Sequence, residues 1–173
     1  MTNSMNSYKE HFQKLLNVEI KDSPADMQLI IDVNSDKFHQ TLIALRTDGF
    51  RQLSILTCID WIELNKFQLV AILMNWDTGM HLLVRTLLDR DNPDFHTITS
   101  IYPGAIYYER EIFEFFGVHF KGNPTYDKPL FLERWDAMPP LRKDFDPQAY
   151  SDSKFPKREH PHVFKAQVVE EIK

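Results

Sequence analysis

Apolar residues recur at helical spacing in two places within the first 50 positions of the chain. The first pattern predicts a short amphipathic helix over about 7–16. The second predicts a helix with Ser35 as its N-cap and Gly49 as the glycine that ends it. Two short apolar runs, at 18–20 and 27–33, lie between these helices and flank turn-forming residues, so they are predicted to be strands.

The next part of the chain predicts three longer strands. They are expected at about 52–62, 66–75 and 79–88, with a hairpin turn at Asp77-Thr78-Gly79 between the last two. Every residue from Leu69 to Met74 is apolar, and a strand that is apolar on both faces is typical of the interior of a sheet. We therefore expect helices to cover one face of this sheet and a partner to cover the other.

A third helix is predicted after Pro103-Gly104, because no breaker interrupts the chain before Gly117. On a helical projection, Glu109 falls in the middle of the apolar stripe of this helix. A carboxylate in that position is costly unless it is paired. Three interpretations stay open: exposure at a ragged helix edge, a contact across an interface, and a structural ion pair with Arg85 or Arg142.

The opposite side of this helix carries Arg110, Glu111 and Glu114, which predict a solvated face linked by salt bridges. Glu109 and Glu111 are two positions apart, so their side chains point away from each other on a helix. They therefore cannot flank one substrate as a pair of catalytic carboxylates.

The character of the chain changes after Val118. Seven of the ten prolines lie between residues 123 and 161, no glycine follows Gly122, and aromatic residues continue throughout. Such a stiff chain loses little entropy on docking, and it is too aromatic for a solvated disordered tail. We expect it to fold against the surface of a partner; the alternative is that it packs back on the sheet of its own chain.

These elements predict an α+β fold, in which a small, mostly antiparallel sheet with two to three helices is followed by a long, proline-rich, extended C-terminal segment. A length of 173 residues allows one good core plus an extension. We therefore divide the chain into a core domain, residues 1–120, and a partner-docking segment, residues 121–173.

Composition and charge exclude several functional classes. The net charge is −5 with both signs mixed along the chain, which fits neither nucleic-acid binding nor a polybasic membrane surface. No apolar run approaches the roughly 18 residues of a membrane-spanning helix, and the N-terminus lacks the layout of a signal peptide. Cys58 is the only cysteine, so the chain cannot by itself build a cysteine-ligated iron–sulfur cluster or zinc site.

Motifs for catalysis are equally sparse. The five glycines are too dispersed for a phosphate-binding loop, and His160 and His162 have no third metal ligand fixed nearby. One enzymatic hypothesis remains, a free-standing enzyme that uses a buried Glu109 as general acid or base. Another is a peptide-binding adaptor, which would form small, transient interfaces.

Two stretches carry a resemblance to a known family. They are Glu109-Arg110-Glu111 with the following residues through Gly117 to Pro124, and Pro140-Leu141-Arg142-Lys143-Asp144-Phe145. Residues 107–145 thereby resemble the C subunit of respiratory complex I (NADH–quinone oxidoreductase), a family that includes the homologous subunit of membrane-bound energy-converting nickel–iron hydrogenases. The resemblance assigns these residues to the family motif and interface: Glu109, Arg110, Glu111, Gly117, Gly122, Pro124, Pro140, Leu141, Arg142, Lys143 and Asp144.

The resemblance implies a non-catalytic assembly subunit in the hydrophilic arm of a complex-I-like, membrane-bound oxidoreductase. Such a chain packs on the large catalytic subunit and on iron–sulfur subunits, and it supports electron transfer without catalytic residues of its own. It implies no cofactor or metal in this chain, with iron–sulfur clusters and a nickel–iron or quinone site in the partner subunits. The expected location is the cytoplasmic face of the cell membrane, with contact to the membrane only through the complex.

Two departures from the family pattern bear on the branch of the family. Family members usually carry His where this chain has Asn123, and a basic residue where it has Asp127. Residues 128–132 also replace a more regular stretch of the family. These differences favour the energy-converting hydrogenase branch, and NADH–quinone oxidoreductase stays open as the alternative.

Overall fold

Helices and strands account for most of residues 2–155, the part of the chain that the computed structural model describes. The helices are α1 (Thr2–Leu16), α2 (Phe38–Thr47), α3 (Ala105–Phe116) and α4 (Pro147–Lys154). The strands are β1 (Ile20–Asp22), β2 (Gln28–Asp32), β3 (Gln52–Trp61), β4 (Lys66–Asn75), β5 (Met80–Asp89), β6 (Asp94–His96) and β7 (His119–Lys121).

A five-stranded sheet in the order β1-β2-β5-β4-β3 forms the centre of the fold. Its neighbouring strands are antiparallel except β2 and β5, which are parallel, so the prediction of a mostly antiparallel sheet is confirmed. The apolar run from Leu69 to Met74 belongs to β4, which lies between β5 and β3 as its two apolar faces predict. Strands β6 and β7 form a separate parallel pair.

The core lies between one face of this sheet and helices α1, α2 and α3. Alternate residues of the long strands, such as Leu69 and Leu82, point into it and are fully buried. Phe12, Leu42 and Ile112, one from each helix, belong to the same buried cluster. The predicted α+β class is therefore confirmed, and three helices cover the core where two to three were predicted.

The remaining alternate residues form the other face of the sheet, which we call the outer sheet face. The strand register brings Ile30, Leu83, Ile72 and Ile55 into one row across β2, β5, β4 and β3. None of these four residues belongs to the buried cluster beneath the helices, and Ile55 is 38% exposed. The described helices thus leave this face of the sheet without a helical cover, and the aliphatic row on it is flanked by polar residues such as Asp32 and Arg85.

Three local predictions differ from the structure. Helix α1 begins at Thr2 rather than near residue 7, and Met5 of its additional turn packs against the core. Lys37 rather than Ser35 occupies the N-cap position of α2, without a side-chain hydrogen bond. Helix α4 is missing from the predicted elements, although Asp146 caps it by accepting a hydrogen bond from Ala149 N–H.

The segment after β7 runs back along the surface of its own chain before α4 begins. Leu141 N–H donates to the Phe115 carbonyl, and Lys143 N–H donates to the Asp60 carboxylate. The segment therefore contacts α3 and β3, and the division at residues 120 and 121 stays a prediction. His160 and His162 lie outside the described residues. None of the described helices is long and apolar enough to cross a membrane.

Candidate docking site around helix α3

Glu109 lies on the buried side of α3 and is 0% exposed. Three groups donate hydrogen bonds to its carboxylate: Ile98 N–H at 2.8 Å, the Thr97 hydroxyl at 2.7 Å and the Asn123 side-chain amide at 2.8 Å. These donors come from the loop before α3 and from the turn after β7. One carboxylate therefore joins three segments of the chain, and its polar atoms are satisfied without a counter-charge.

Two of the three interpretations left open for Glu109 are wrong, namely an ion pair with Arg85 or Arg142 and exposure at a helix edge. Arg85 Nε lies 2.7 Å from Asp32 Oδ1 on the outer sheet face, and Arg142 donates to a main-chain carbonyl. Burial raises the pKa of Glu109, and the hydrogen bonds from its three donors offset this effect only in part. The charged form of Glu109 is thus the costly one in the folded state.

Gly122 gives this hydrogen-bond network the room it needs. Its φ angle is +94°, and an added Cβ would lie 3.0 Å from Thr97 Cγ2. A side chain here would be strained and would push on the residue whose hydroxyl binds Glu109. Asn123 follows and is 3% exposed, and its Oδ1 accepts a hydrogen bond from Thr125 N–H. Asn123 is one of the positions at which this chain departs from the family pattern, and its side chain thus binds the buried Glu109 carboxylate.

The opposite side of α3 holds part of the C-terminal segment. Glu114 accepts hydrogen bonds from the three successive backbone N–H groups of residues 130–132, at 2.8 to 3.0 Å. Arg110 donates to the carbonyls of residues 128–129, and Glu111 is half-buried. The predicted salt-linked face is therefore wrong, because Arg110 and Glu114 bind the backbone of the segment instead of each other.

Gly117 ends α3 in the left-handed region at φ +81°, as predicted, and it leaves space for Arg142. A Cβ added at Gly117 would lie 3.0 Å from Arg142 Nη2 and 3.2 Å from Pro139 Cγ. Arg142 Nε–H donates to the Phe116 carbonyl at 2.8 Å, and its guanidinium lies 5.1 Å from the centroid of the Phe67 ring. Arg142 therefore places a cation at the C-terminus of α3, where the helix dipole favours it.

A buried ion pair beside this segment escapes the sequence analysis. Arg90 binds Asp60 through two hydrogen bonds, of 2.8 and 3.0 Å, and its Nη2 lies 2.6 Å from Asp144 Oδ1. Lys143 N–H also donates to Asp60, at 2.8 Å. The alternation of β3 is the sequence signal that could have indicated a buried Asp60, since Asp60 shares the inward side of the strand with the buried Cys58.

Burial opposes the negative charge of Asp60, but the Arg90 guanidinium and the Lys143 amide outweigh it and hold the pKa of Asp60 below its usual range. The hydrogen bond from Arg90 also lowers the pKa of Asp144, and both carboxylates raise the pKa of Arg90. All three groups are therefore charged at neutral pH. Together they tie the C-terminal segment to β3 and to the end of β5.

The predicted site residues thus divide into two groups. In the first group, a side chain bonds within the chain, or a glycine leaves room for a neighbouring side chain. Its members are Glu109, Arg110, Gly117, Gly122, Arg142 and Asp144. Leu141 is 53% exposed, Pro124 and the Lys143 side chain are also exposed, and Pro140 and Glu111 are half-buried. The structure therefore brings the two halves of the motif together around α3 and leaves part of it facing outward.

The arrangement offers little to a substrate. Among residues 2–155, no group of three or more His, Cys, Asp or Glu side chains is placed to hold a metal ion. The Glu109 carboxylate is enclosed and occupied by three donors, so the geometry does not favour it as a general acid or base. The contacts of this site fix an irregular segment on α3. Apolar side chains of the segment stay exposed to solvent, and Phe131 is 63% exposed.

Known proteins share both the sequence pattern and the fold. The family described as "Respiratory-chain NADH dehydrogenase, 30 Kd subunit" matches residues 31–151. The C subunit of NADH-quinone oxidoreductase from Moorella thermoacetica is 29% identical over 82% of this chain and 95% of its own length. The corresponding C subunit from Roseiflexus sp. (strain RS-1) is 35% identical over 46% of this chain and 45% of its own length.

A third relative, the C/D subunit of NADH-quinone oxidoreductase from Rhodopseudomonas palustris, is 42% identical over 42% of this chain and 12% of its own length. The chain thus spans less than two thirds of the Roseiflexus and Rhodopseudomonas relatives. Among solved structures, a chain of the membrane-bound sulfane sulfur reductase, an archaeal respiratory membrane complex, has a TM-score of 0.83 and 29% identity over 96% of this chain and 99% of that one. The trypsin-resistant fragment of Nqo5 shares the fold, with a TM-score of 0.60 and 22% identity over 69% of this chain and 97% of the fragment.

Proposed function

The chain belongs to the 30 kDa subunit family of respiratory-chain NADH dehydrogenase, and we propose that it is a non-catalytic assembly subunit of a membrane-bound redox complex. In this role it packs on the large catalytic subunit and on iron–sulfur subunits, and it holds them in position for electron transfer. The iron–sulfur clusters and the nickel–iron or quinone site belong to those partners. The assembled complex places the chain at the cytoplasmic face of the membrane.

The observation that carries this proposal is the outer sheet face. Its central row of four aliphatic residues crosses four strands, and Ile59 and Trp61 extend it along β3 with exposures of 39% and 40%. Soluble monomers rarely leave a contiguous apolar surface of this kind in water. We therefore expect this face to be buried in a permanent subunit interface, since such interfaces resemble the interior of a domain.

A direct contact with the large subunit is supported by the Rhodopseudomonas relative, whose name joins a C and a D subunit. In that protein the counterpart of this chain and the D subunit share one polypeptide. Covalent linkage of two modules is productive when both can engage each other, because it raises the effective concentration of each. We infer that the corresponding subunits meet in the complex of this chain as well.

The test is a pull-down of the tagged full chain from mildly solubilised native membranes, with the co-purifying subunits identified by mass spectrometry. We expect wild type to bring down a large subunit and iron–sulfur subunits. Glu in place of both Ile55 and Ile59 should remove them, because an unpaired charge is costly in a closed interface. The same change on an open sheet face should shift the unfolding temperature of the purified chain only slightly.

Ile43→Glu is the matched control, since Ile43 is 54% exposed on α2, on the opposite side of the molecule. This variant should co-purify as wild type does. A wild-type chain recovered without partners would refute the assembly role, and retention of all subunits by the double variant would refute the outer sheet face as the interface. A nickel–iron large subunit without an NADH-oxidising module would identify the hydrogenase branch.

A further inference from the structure

Strand β5 has an edge that its neighbour leaves unpaired. β5 runs from Met80 to Asp89 and pairs with β4 along its whole length, but β2 pairs with only 81–85 of it. The hydrogen bond from Val33 N–H to the Arg85 carbonyl is the last one of the parallel ladder in the described part of the chain. The edge of β5 beyond Arg85 therefore lies open where β2 ends.

The ladder also fixes which backbone groups face this opening. His81 N–H donates to the Met27 carbonyl and the Arg85 carbonyl accepts from Val33, so odd-numbered residues of β5 direct their N–H and C=O groups towards β2. By the alternation of a strand, Leu87 and Asp89 direct theirs to the same side, past the end of β2. Such groups are a template for one more extended chain.

A groove of suitable size follows this edge. Two cavities, of about 450 and 420 Å³, meet at Ser35 and Leu87, which line both. The first also contains Thr86, which is 2% exposed and whose Oγ1 lacks a hydrogen-bond partner within residues 2–155. Its side chain lies with the buried Val84 and Leu88 on the core face of β5. The groove is therefore offered by the strand edge and by outward residues such as Arg85 and Leu87.

The charges along the groove define the occupant further. Four aspartates line the two cavities, and three of them, Asp32, Asp89 and Asp94, pair with a basic residue of this chain. Asp36 is exposed and forms no ion pair in the described part of the chain. One negative charge beside the open edge is thus available to a single basic residue.

We propose that the groove beside residues 86–89 of β5 receives an extended segment of another subunit, which adds as a strand and presents a Lys or Arg to Asp36. Main-chain hydrogen bonds to Leu87 and Asp89 supply binding, and the contact with Asp36 sets the register. This inference rests on the proposed assembly role and names a second contact, away from the α3 segment.

The test is hydrogen exchange, followed by mass spectrometry, on the full chain alone and in the complex isolated from native membranes. Within residues 86–90, the backbone amides of Leu87 and Asp89 should exchange about tenfold or more slowly in the complex. The effect is confined to these two, because Arg90 N–H already donates to the Asn65 carbonyl and the even-numbered residues of β5 face β4. Asp36→Lys should reverse most of this protection. Asp26→Lys, the same charge reversal at an exposed residue of the turn before β2, should leave it intact.

A photo-reactive benzoylphenylalanine in place of Ser35 then identifies the occupant. A cross-link to a segment of another subunit that contains Lys or Arg supports the proposal. A cross-link to residues 156–173 of the same chain or to a second copy overturns it. Unchanged exchange of residues 86–90 within an otherwise intact complex overturns this inference alone, whereas a chain that enters no complex refutes the assembly role and this inference with it.

Discussion

Glu109 and Asp60 are both buried carboxylates, but their surroundings stabilise opposite forms of the side chain. Asp60 has a guanidinium in contact and an additional backbone N–H, so its pKa is lowered although burial acts against it. Glu109 has only neutral donors, and burial prevails and raises its pKa. The number of hydrogen bonds is similar at the two sites, so the presence of a formal positive charge decides the direction.

This contrast predicts opposite pH dependences of the free energy of unfolding. For Glu109, we compare the free energy of unfolding of wild type with that of Glu109→Gln. The advantage of wild type should be greatest below about pH 4.3, the usual glutamate pKa, and should decline as pH rises through the raised pKa of the folded state. For Asp60, the advantage over Asp60→Asn should be present at neutral pH, about 3 kcal/mol for a broken buried pair, and be lost as pH falls through the lowered folded pKa.

Urea unfolding between pH 4 and 8 measures the Glu109 effect, and an extension to lower pH measures that of Asp60. Glu111→Gln supplies the baseline, because it makes the same chemical change on the same helix at a half-buried position. If the advantage of Glu109 grew as pH rose, the three hydrogen-bond donors would outweigh burial and the pKa of Glu109 would be lowered rather than raised.

At the scale of elements, α3 acts as a clamp for an irregular chain. Glu114 binds three backbone N–H groups of residues 130–132 and Arg110 binds two carbonyls just before them. Five main-chain groups of a segment without regular structure thus find partners on two side chains. The ring of Phe131 stacks on that of Phe115 of the helix, with the two ring centroids 6.0 Å apart. This gives the same segment an apolar contact.

We predict that Glu114→Gln loosens this segment without unfolding the core. A glutamine amide has one oxygen acceptor and an NH₂ group that faces the N–H donors, so at least one of the three hydrogen bonds must be lost. Hydrogen exchange of residues 128–134 should become several-fold faster, while the global free energy of unfolding falls by about 1 kcal/mol. Glu111→Gln should change neither quantity, and equal effects of the two variants would contradict the clamp.

How much of this arrangement the sequence predicts depends on the range of the interactions. Hydrophobic periodicity locates the sheet and its interior strand, and a helix-ending glycine locates the end of α3 at Gly117, since these depend on local pattern. Periodicity also finds Glu109 on the buried stripe, but its donors lie 11 to 14 positions away along the chain. The Asp60 and Lys143 contact spans 83 positions, and no local pattern can encode such a meeting.

At the scale of the whole molecule, the open point is the residue at which the folded core ends. The predicted boundary after residue 120 separates Glu109 from Asn123, which donates one of its three hydrogen bonds at 2.8 Å. It also separates Phe113 from Tyr126, whose rings lie 5.0 Å apart. A chain that stops at residue 120 would leave a buried carboxylate partly unsatisfied, and that costs more than the loss of an exposed contact.

We therefore predict that a fragment of residues 1–127 is more stable than one of residues 1–120, by about 1–3 kcal/mol for the Glu109 hydrogen bond. Urea unfolding of the two purified fragments measures the difference. Asn123→Ala in the longer fragment should remove the part of the gain that comes from the Glu109 hydrogen bond, because it deletes the donor and keeps the backbone. The retained backbone includes the Lys121 carbonyl, which accepts a hydrogen bond from Thr97 N–H. Tyr126→Ala should remove only the smaller contribution of the aromatic contact. If the two fragments were equally stable, the core would end at residue 120 and Asn123 would belong to the docking segment alone.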